Sequence, residues 1–322
     1  MSEKVLIGVD VGGTKTAIVL SSCAPVVDAR TEFPTLPAEG PDQAVANIKK
    51  GIRDLLAGQD LTDAALRAIG VSCGGPLDRV AGVIQSPPNL STWVNVPIKA
   101  ILEAEFRVGC RVENDANAGA VAEHRYGAGQ GCQNIVFLTM GTGLGAGIIA
   151  DGRLYHGASD LAGEIGHVRL TRTGPIGHNK AGSVEGWASG GGVAQVARRT
   201  VEAARKRGHK TLLAAYLRSR KTITARDVAL AAEQGDSVAR RIIQVTGQRL
   251  GEALAILVDI LNPERIVIGG LAMRLGETLL APARSVMQRE ALVPAAYVCQ
   301  VVPAALGEQI GDIAALCVAM GF

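Results

Sequence analysis

Apolar residues in this chain fall into short unbroken runs and longer stretches with helical spacing. Val5-Leu6-Ile7-Gly8-Val9 and Thr16-Ala17-Ile18-Val19-Leu20 are runs of buried-strand type, separated by Asp10-Val11-Gly12-Gly13-Thr14-Lys15. A strand, a glycine turn and a second strand predict a β-hairpin. Over residues 42–57 the apolar positions Ala44, Ile48, Ile52, Leu55 and Leu56 predict a helix, and Ala68–Ser72 returns to a strand. Gly74-Gly75-Pro76 and Pro87-Pro88-Asn89-Leu90 read as turns. Arg111-Val112-Glu113 leads to Asn114-Asp115, and a helix is predicted over Ala116–Tyr126.

The opening pattern then recurs. Asn134–Thr139 reads as a strand, Gly141-Thr142-Gly143-Leu144-Gly145 as a glycine turn, and Ala146–Ala150 as a strand. The repetition predicts two related α/β domains. Residues 186–258 read as largely helical, Arg265–Ile268 as a strand ending at Gly269-Gly270, and Ile310–Met320 as an apolar helix expected to pack back on one domain. A length of 322 residues exceeds what one core usually fills. The expected division is 1–118, completed by 305–322, and 119–304.

Composition agrees with that class. Apolar residues make up 48% of the chain but aromatics only 3%, so the core must be built from Ala, Val, Leu and Ile, which suits alternating strands and helices. A net charge of +3, with signs mixed along the chain, is too weak a bias to argue for nucleic acid or a membrane surface, and neither is expected as a partner. The basic segment Arg198–Lys221 has no aromatic interleaving and reads as a solvated helical face. No apolar stretch reaches the roughly 18 residues of a membrane span, and Met1-Ser2-Glu3-Lys4 leads straight into the first strand with no signal peptide. Cys23, Cys73, Cys110, Cys132, Cys299 and Cys317 form no CxxC pair and read as small buried hydrophobes in a reducing, cytoplasmic setting. Trp93 and Trp187 read as packing residues.

The candidate chemistry starts at the turns. Gly12 and Gly13, before Thr14 and Lys15, let backbone N–H groups approach an anion closely, although an ordinary hairpin turn has the same composition. Asp10 offers the hard oxygen ligands that Mg²⁺ prefers, directly or through water. The spacing is neither a P-loop nor a dinucleotide fingerprint. Gly141-Thr142-Gly143 shares its strand-before, strand-after context, and Gly269-Gly270 closes a third strand. Three such turns over both halves favour a nucleotide clamped between two domains.

Asp115 stands at a strand-to-helix junction. It reads equally as the cap of that helix and as a carboxylate that accepts a hydroxyl proton during phosphoryl transfer. Glu164 and His167 lie three apart between glycines, and Glu185 follows in a later loop. Such groups can bind neighbouring hydroxyls, though in isolation they read more readily as surface acids and a loop histidine.

Taken in order, these segments resemble the ROK family of sugar kinases and sugar-responsive repressors. The match runs through Asp10–Lys15, Gly74–Asp78, Pro88-Asn89-Leu90 with Trp93, and Glu113-Asn114-Asp115-Ala116-Asn117. It continues through Gly141–Gly145, Gly163-Glu164-Ile165-Gly166-His167, and Glu185 with Ala188-Ser189-Gly190. The resemblance implies an actin-like, ribonuclease-H-like ATPase fold of two domains around a cleft. It casts Asp115 as catalytic base, and Gly75, Asn114, Asp115, Glu164, His167 and Glu185 as sugar contacts. Gly12, Gly13, Thr14, Lys15, Gly141, Thr142, Gly143, Gly269 and Gly270 would hold ATP, with Asp10 on the Mg²⁺ side. A homodimer or larger assembly is also implied.

One segment departs from the family. Most members bind a structural Zn²⁺ through the histidine of GEIGH and three cysteines of a following loop. Here that loop reads Gly174-Pro175-Ile176-Gly177-His178-Asn179-Lys180-Ala181-Gly182-Ser183, without cysteine. No zinc is expected. The resulting expectation is an ATP-dependent hexose kinase, with glucose favoured over fructose, mannose or an N-acetylhexosamine. Two other expectations compete. A sugar-responsive repressor is disfavoured because nine residues before Asp10 hold no DNA-binding domain. An actin-like ATPase that does not phosphorylate sugars is disfavoured by the combined set Asn114, Asp115, Glu164, His167 and Glu185.

Overall fold

In the computed structural model the first glycine turn joins β1 (Val5–Val11) to β2 (Lys15–Ser21), antiparallel, with Val11 opposite Thr16. Residues 4–220 and 222–321 are described. Met1, Ser2, Glu3, Lys221 and Phe322 lie outside them, and with them the start of the N-terminal lead-in and the ends of the basic and C-terminal segments named above. Asp10 and Val11 continue β1 and Lys15 opens β2, so the turn itself is only Gly12-Gly13-Thr14.

The chain divides into two compact units, one of residues 1–130, 153–160 and 306–322, the other of 131–152 and 161–305. In the first, β3 (Ala29–Pro34) forms an edge beside β2, and β4 (Leu66–Cys73) and β7 (Cys110–Asn114) extend the sheet on the other side of β1. The order is β3-β2-β1-β4-β7, with β1, β4 and β7 parallel. Two-residue strands β5 (Leu77–Asp78) and β6 (Val83–Ile84) make a small hairpin after β4. Parallel neighbours require crossovers, supplied by α1 (Pro41–Ala57) and α2 (Ile98–Phe106). Helix α1 buries Ala44, Ile48, Ile52, Leu55 and Leu56 on one face, the spacing read from the sequence.

The C-terminal helix α12 (Ile310–Met320) covers the other face of this sheet. Gly8 and Gly70 make that approach possible. A Cβ on Gly8 would lie 2.9 Å from the Ala315 Cβ, and one on Gly70 would lie 2.2 Å from the Ala319 nitrogen.

The second unit repeats the plan. Strands β8 (Ile135–Met140) and β9 (Leu144–Ala150) are antiparallel across the second glycine turn. After the short β10 (Arg153–Leu154), β11 (Ile176–Gly177) and β12 (Lys180–Ala181) form a separate hairpin. Strands β13 (Arg265–Ile268) and β14 (Gln300–Pro303) then add in parallel, giving the order β9-β8-β13-β14. This matches β2-β1-β4-β7, so the repetition seen in the two hairpins extends to the sheets. The helical stretch resolves into α4 (Val184–Ala188), α5 (Gly190–Lys206), α6 (Leu213–Arg220), α7 (Ala225–Glu233) and α8 (Ser237–Leu261). Three more helices follow: α9 (Leu271–Leu275), α10 (Glu277–Glu290) and α11 (Val293–Val298).

Packing sorts the remaining sequence features. Trp93 is fully buried, while Trp187 packs partly buried against the second core, with the Arg249 guanidinium 5.0 Å from its ring. Five cysteines are buried. Cys23, in the loop after β2, is exposed, against expectation. The basic residues Arg198, Arg199, Arg205, Lys206, Arg207 and Lys210 all face solvent. Among the described residues no helix is long and apolar enough to cross a membrane.

Candidate active site

The two hairpin turns share a backbone feature beyond their glycines. In the first, the Gly12 amide donates to the Lys15 carbonyl at 3.0 Å, and the Thr35 hydroxyl donates to the Gly12 carbonyl at 2.7 Å. In the second, the Gly141 amide donates to the Gly143 carbonyl at 3.0 Å, and the Gly190 amide to the Gly141 carbonyl at 2.8 Å. Each turn is thus held by its own bonds. Among the described residues, the successive amides of Gly13 and Thr14, and of Thr142 and Gly143, have no protein acceptor. Consecutive free N–H groups on a rigid turn form an anion-binding concavity.

Lys15, expected with these turns, donates to Glu32 on β3 at 2.9 Å, and the pair is exposed. Gly269 and Gly270 lie against β8. A Cβ on Gly270 would lie 2.3 Å from the Met140 carbonyl oxygen, and φ is +65° there, so close packing and a left-handed backbone both demand glycine.

In the first unit, parallel pairing brings the C-terminal ends of three strands side by side. Asp10 pairs with Ser72, and Cys73 with Asn114. The residues that follow, Gly74-Gly75 and Asp115, therefore emerge at one edge, where ligands bind in open α/β sheets. A Cβ on Gly75 would lie 3.4 Å from Asn114 Nδ2, and one on Gly74 would lie 4.0 Å from Asp115 Oδ2. Gly75, Asn114 and Asp115 are brought together.

The helix cap is Asn114, not Asp115. Strand β7 runs through Asn114, whose Oδ1 accepts from the Ala116 amide at 2.9 Å and the Asn117 amide at 3.3 Å. Asp115 takes the first helical position of α3 (Asp115–Tyr126), where its Oδ1 accepts from the Ala116 amide at 2.8 Å. Asp10 feels these neighbours. Burial, reinforced by the Asp115 and Asp312 carboxylates, raises its pKa to about 7 despite Lys15 and Arg30. Asp312 is tied to Arg30 at 2.8 Å.

Beneath Asn114 lies a pair that the sequence does not announce. Glu113 is buried, with one carboxylate oxygen accepting from the Asn114 amide at 2.9 Å and Asn117 Nδ2 at 3.0 Å, and the other 2.9 Å from His156 Nε2. Glu113 and His156 are 43 residues apart, so no local spacing signals the contact. Asn89, read from the sequence only as part of a turn, packs against the first glycine turn. Its backbone carbonyl oxygen and Cβ lie 2.9 and 2.6 Å from where a Gly13 Cβ would be, which obliges glycine at that turn.

In the second unit Glu164, His167 and Glu185 converge. Gly163 is fixed on β9, its carbonyl accepting from the Ala146 amide at 3.2 Å, and Gly166 lies against the Leu144 carbonyl. His167 Nδ1 is 3.2 Å from Glu164 Oε2, and both side chains are about half exposed. A Cβ on Gly166 would lie 3.5 Å from the Glu185 Cβ. Glu185 Oε2 accepts from the Leu144 amide at 3.1 Å, immediately after the Gly141–Gly143 turn. The Glu185 carboxylate and the glycine turn therefore share one support.

The loop that holds zinc in most ROK members has a different donor set here. The His167 and His178 rings pack at 4.4 Å between centroids, tilted by 56°. The Lys180 ammonium donates to the His167 carbonyl at 2.7 Å, beside those rings. Tetrahedral zinc asks for four ligands, usually thiolates and imidazoles. Two imidazoles, one engaged with Glu164, together with an adjacent ammonium, do not fit it.

The sequence profile of the ROK family matches residues 6–321. A glucokinase of Halalkalibacterium halodurans is 35% identical over 316 residues, covering 97% of this chain and 94% of that protein. The crystal structure of a ROK family glucokinase from Streptomyces griseus, in complex with glucose and AMPPNP, aligns with a TM-score of 0.80 at 30% identity, covering 98% of this chain and 99% of that one. A ROK family transcriptional regulator, homologous to the E. coli MLC protein, has a TM-score of 0.85 at 24% identity and covers 98% of this chain and 78% of its own.

Proposed function

This chain belongs to the ROK family and has its actin-like, ribonuclease-H-like α/β fold, and we propose that it is an ATP:hexose phosphotransferase with glucose as acceptor. The observation that carries this reading is the pair of equivalent turns, Gly12–Thr14 and Gly141–Gly143, each offering two successive unpartnered amides to an anion. Anion-binding turns of this kind suit the phosphates of a nucleotide. The similarity to glucokinases over nearly the whole chain supports ATP and glucose as the substrates.

In this reading Asn114, Asp115, the Gly75 backbone, Glu164, His167 and Glu185 are the sugar ligands. Asp115 orients the attacking hydroxyl and accepts its proton as the oxygen–phosphorus bond forms and the bond to the β-phosphate bridging oxygen breaks. The products are ADP and the sugar phosphate, with the proton passing from Asp115 to solvent. Gly13, Thr14, Thr142 and Gly143 hold the phosphates, and the Gly269-Gly270 backbone borders the rest of the nucleotide. Mg²⁺ bound at Asp10 would offset charge on the phosphates. Burial, with the Asp115 and Asp312 carboxylates adding to it, raises the Asp10 pKa, and a hard dication would relieve the charge repulsion among these carboxylates.

The family resemblance also implies self-association. Leu292, Val293, Tyr297 and Val298, on and beside α11, together with Ile260, are exposed apolar residues available for contact with a second copy.

A coupled ADP-release assay tests the reading. Glucose should give the highest kcat/KM among glucose, fructose, mannose and N-acetylhexosamines. ADP release that no hexose stimulates would exclude it.

A further inference from the structure

We propose that protein hydrogen bonds perform the task that a metal performs in most of the family, with Lys180 and Gln195 as the positioning residues that fix His167 and Glu185. The inference rests on reading His167 and Glu185 as sugar ligands. It starts from the donor set above, which does not fit zinc, and from the bonds that hold the segment.

The segment folds as its own hairpin. Strands β11 and β12 pair across His178 and Asn179, whose φ values of 48° and 60° make a two-residue turn with both central residues left-handed. That turn matches the twist of short hairpins, and asparagine tolerates the conformation. The hairpin is closed by the Gly182 amide, which donates to the Pro175 carbonyl at 2.8 Å. It leans directly on the helix carrying Glu185. A Cβ on Gly177 would lie 2.8 Å from the Glu185 Cβ and 2.5 Å from the Gly186 nitrogen. Gly166 also borders this residue, since a Cβ there would lie 3.5 Å from the Glu185 Cβ.

Two side chains fasten this hairpin to the rest of the unit. Gln195, from α5, accepts from the Ile176 amide at 2.9 Å and donates to the Ile176 carbonyl at 2.7 Å, satisfying both backbone groups of one residue as a paired strand would. Lys180, from β12, donates to the His167 carbonyl at 2.7 Å and so ties the hairpin to the GEIGH turn. Ser183 adds a local bond, its hydroxyl accepting from the Gly186 amide at 3.1 Å to cap α4. The two segments that supply His167 and Glu185 are therefore joined through Lys180, and the hairpin between them is anchored through Gln195.

The test uses the full chain, with Lys180→Met, Lys180→Arg and Gln195→Ala as variants. Metal content is measured after expression with added zinc, and thermal unfolding is followed with and without 1,10-phenanthroline. Amide hydrogen exchange over residues 174–186 and steady-state kinetics with excess Mg²⁺ complete the set. Zinc should be far below one per chain, and the chelator should not lower Tm. Gln195→Ala should speed exchange over the hairpin. Lys180→Met should raise the glucose KM by about 10-fold, the size of one charge-assisted hydrogen bond, leaving kcat and the ATP KM within about 2-fold. Lys180→Arg should restore most of the loss.

Stoichiometric zinc with a chelator-lowered Tm would overturn the proposal. So would unchanged exchange in Gln195→Ala together with an unchanged glucose KM in Lys180→Met. If the wild-type protein binds no hexose, the kinase reading fails, while metal content and hydrogen exchange still decide whether the hairpin holds without metal.

Discussion

The Glu185 carboxylate accepts the Leu144 amide at 3.1 Å, so an acid placed by one loop ends against the first residue of the strand leaving the second glycine turn. A Cβ on Gly143 would lie 2.9 Å from Glu185 Oε2, so the carboxylate could not keep this position beside a larger residue. The glycine that lends the turn its exposed amides also lets this carboxylate approach.

Two substitutions separate the structural and binding roles of Glu185. Glu185→Ala leaves the buried Leu144 amide without its acceptor, which costs about 1–3 kcal/mol and should lower Tm by about 2–6 °C. Glu185→Gln keeps an acceptor oxygen and should keep the wild-type Tm. Both should weaken glucose binding in calorimetry. A Glu185→Ala protein with wild-type Tm would remove the structural role.

Asp115 sits one residue beyond the cap, so its neutral analogue can keep the local structure. Asp115→Asn retains an oxygen for the Ala116 amide, and Asn114 still caps α3. Turnover should fall by about 10²–10⁴-fold, the range for losing a positioned general base. Glucose affinity should stay within about 3-fold of wild type by the same logic. Single-turnover kinetics beside calorimetry checks both, and an unimpaired chemical step would deny Asp115 its role.

The sequence made the hairpins legible because each places a glycine turn between two apolar runs, a pattern few other elements share. Residues 265–268 and 310–320 match β13 and α12 for a similar reason: an unbroken apolar run bounded by charge or glycine. Strand β3 was not legible. Its residues alternate between half-buried and exposed, and Ala29-Arg30-Thr31-Glu32-Phe33-Pro34 carries little apolar signal. The cap was displaced by one residue because Asn and Asp favour that position about equally, and only the strand register places Asn114 there. The Glu113–His156 and Gln195–Ile176 contacts join residues far apart in the chain, and no local periodicity encodes them.

Gly70 sets how closely α12 approaches the first sheet. A Cβ there would meet the Ala319 nitrogen at 2.2 Å and the Ala315 carbonyl oxygen at 2.4 Å, both backbone atoms that cannot rotate aside. Gly70→Ala must displace the helix and should cost about 2 kcal/mol or more, as overpacked cores do. Gly109→Ala is the control, since no atom lies within 4 Å of its Cβ position. It should stay within about 0.5 kcal/mol of wild type. Urea midpoints compare the two, and equal midpoints would mean the helix docks more loosely than described.

Asp236 links stability to pH through the longest helix. It caps α8, with Oδ1 accepting from the Val238 amide at 2.9 Å and the Ala239 amide at 3.0 Å, while Oδ2 accepts from the Leu212 amide at 2.6 Å and the Thr211 hydroxyl at 2.8 Å. Burial pushes its carboxyl upward, but these bonds outweigh it and hold the pKa below the usual 3.8. A folded pKa below the unfolded one means the unfolded state binds the proton more readily, so the ionised group adds stability above the unfolded value. That contribution disappears as pH falls through the folded value. Asp236→Asn keeps acceptor capacity but loses the charge. The variant should therefore be less stable than wild type at pH 7, with the gap closing as pH is lowered toward 3. Urea unfolding of both proteins from pH 3 to 7 measures the gap, and a difference that stays constant or widens on acidification would assign the stabilisation to something other than the Asp236 charge.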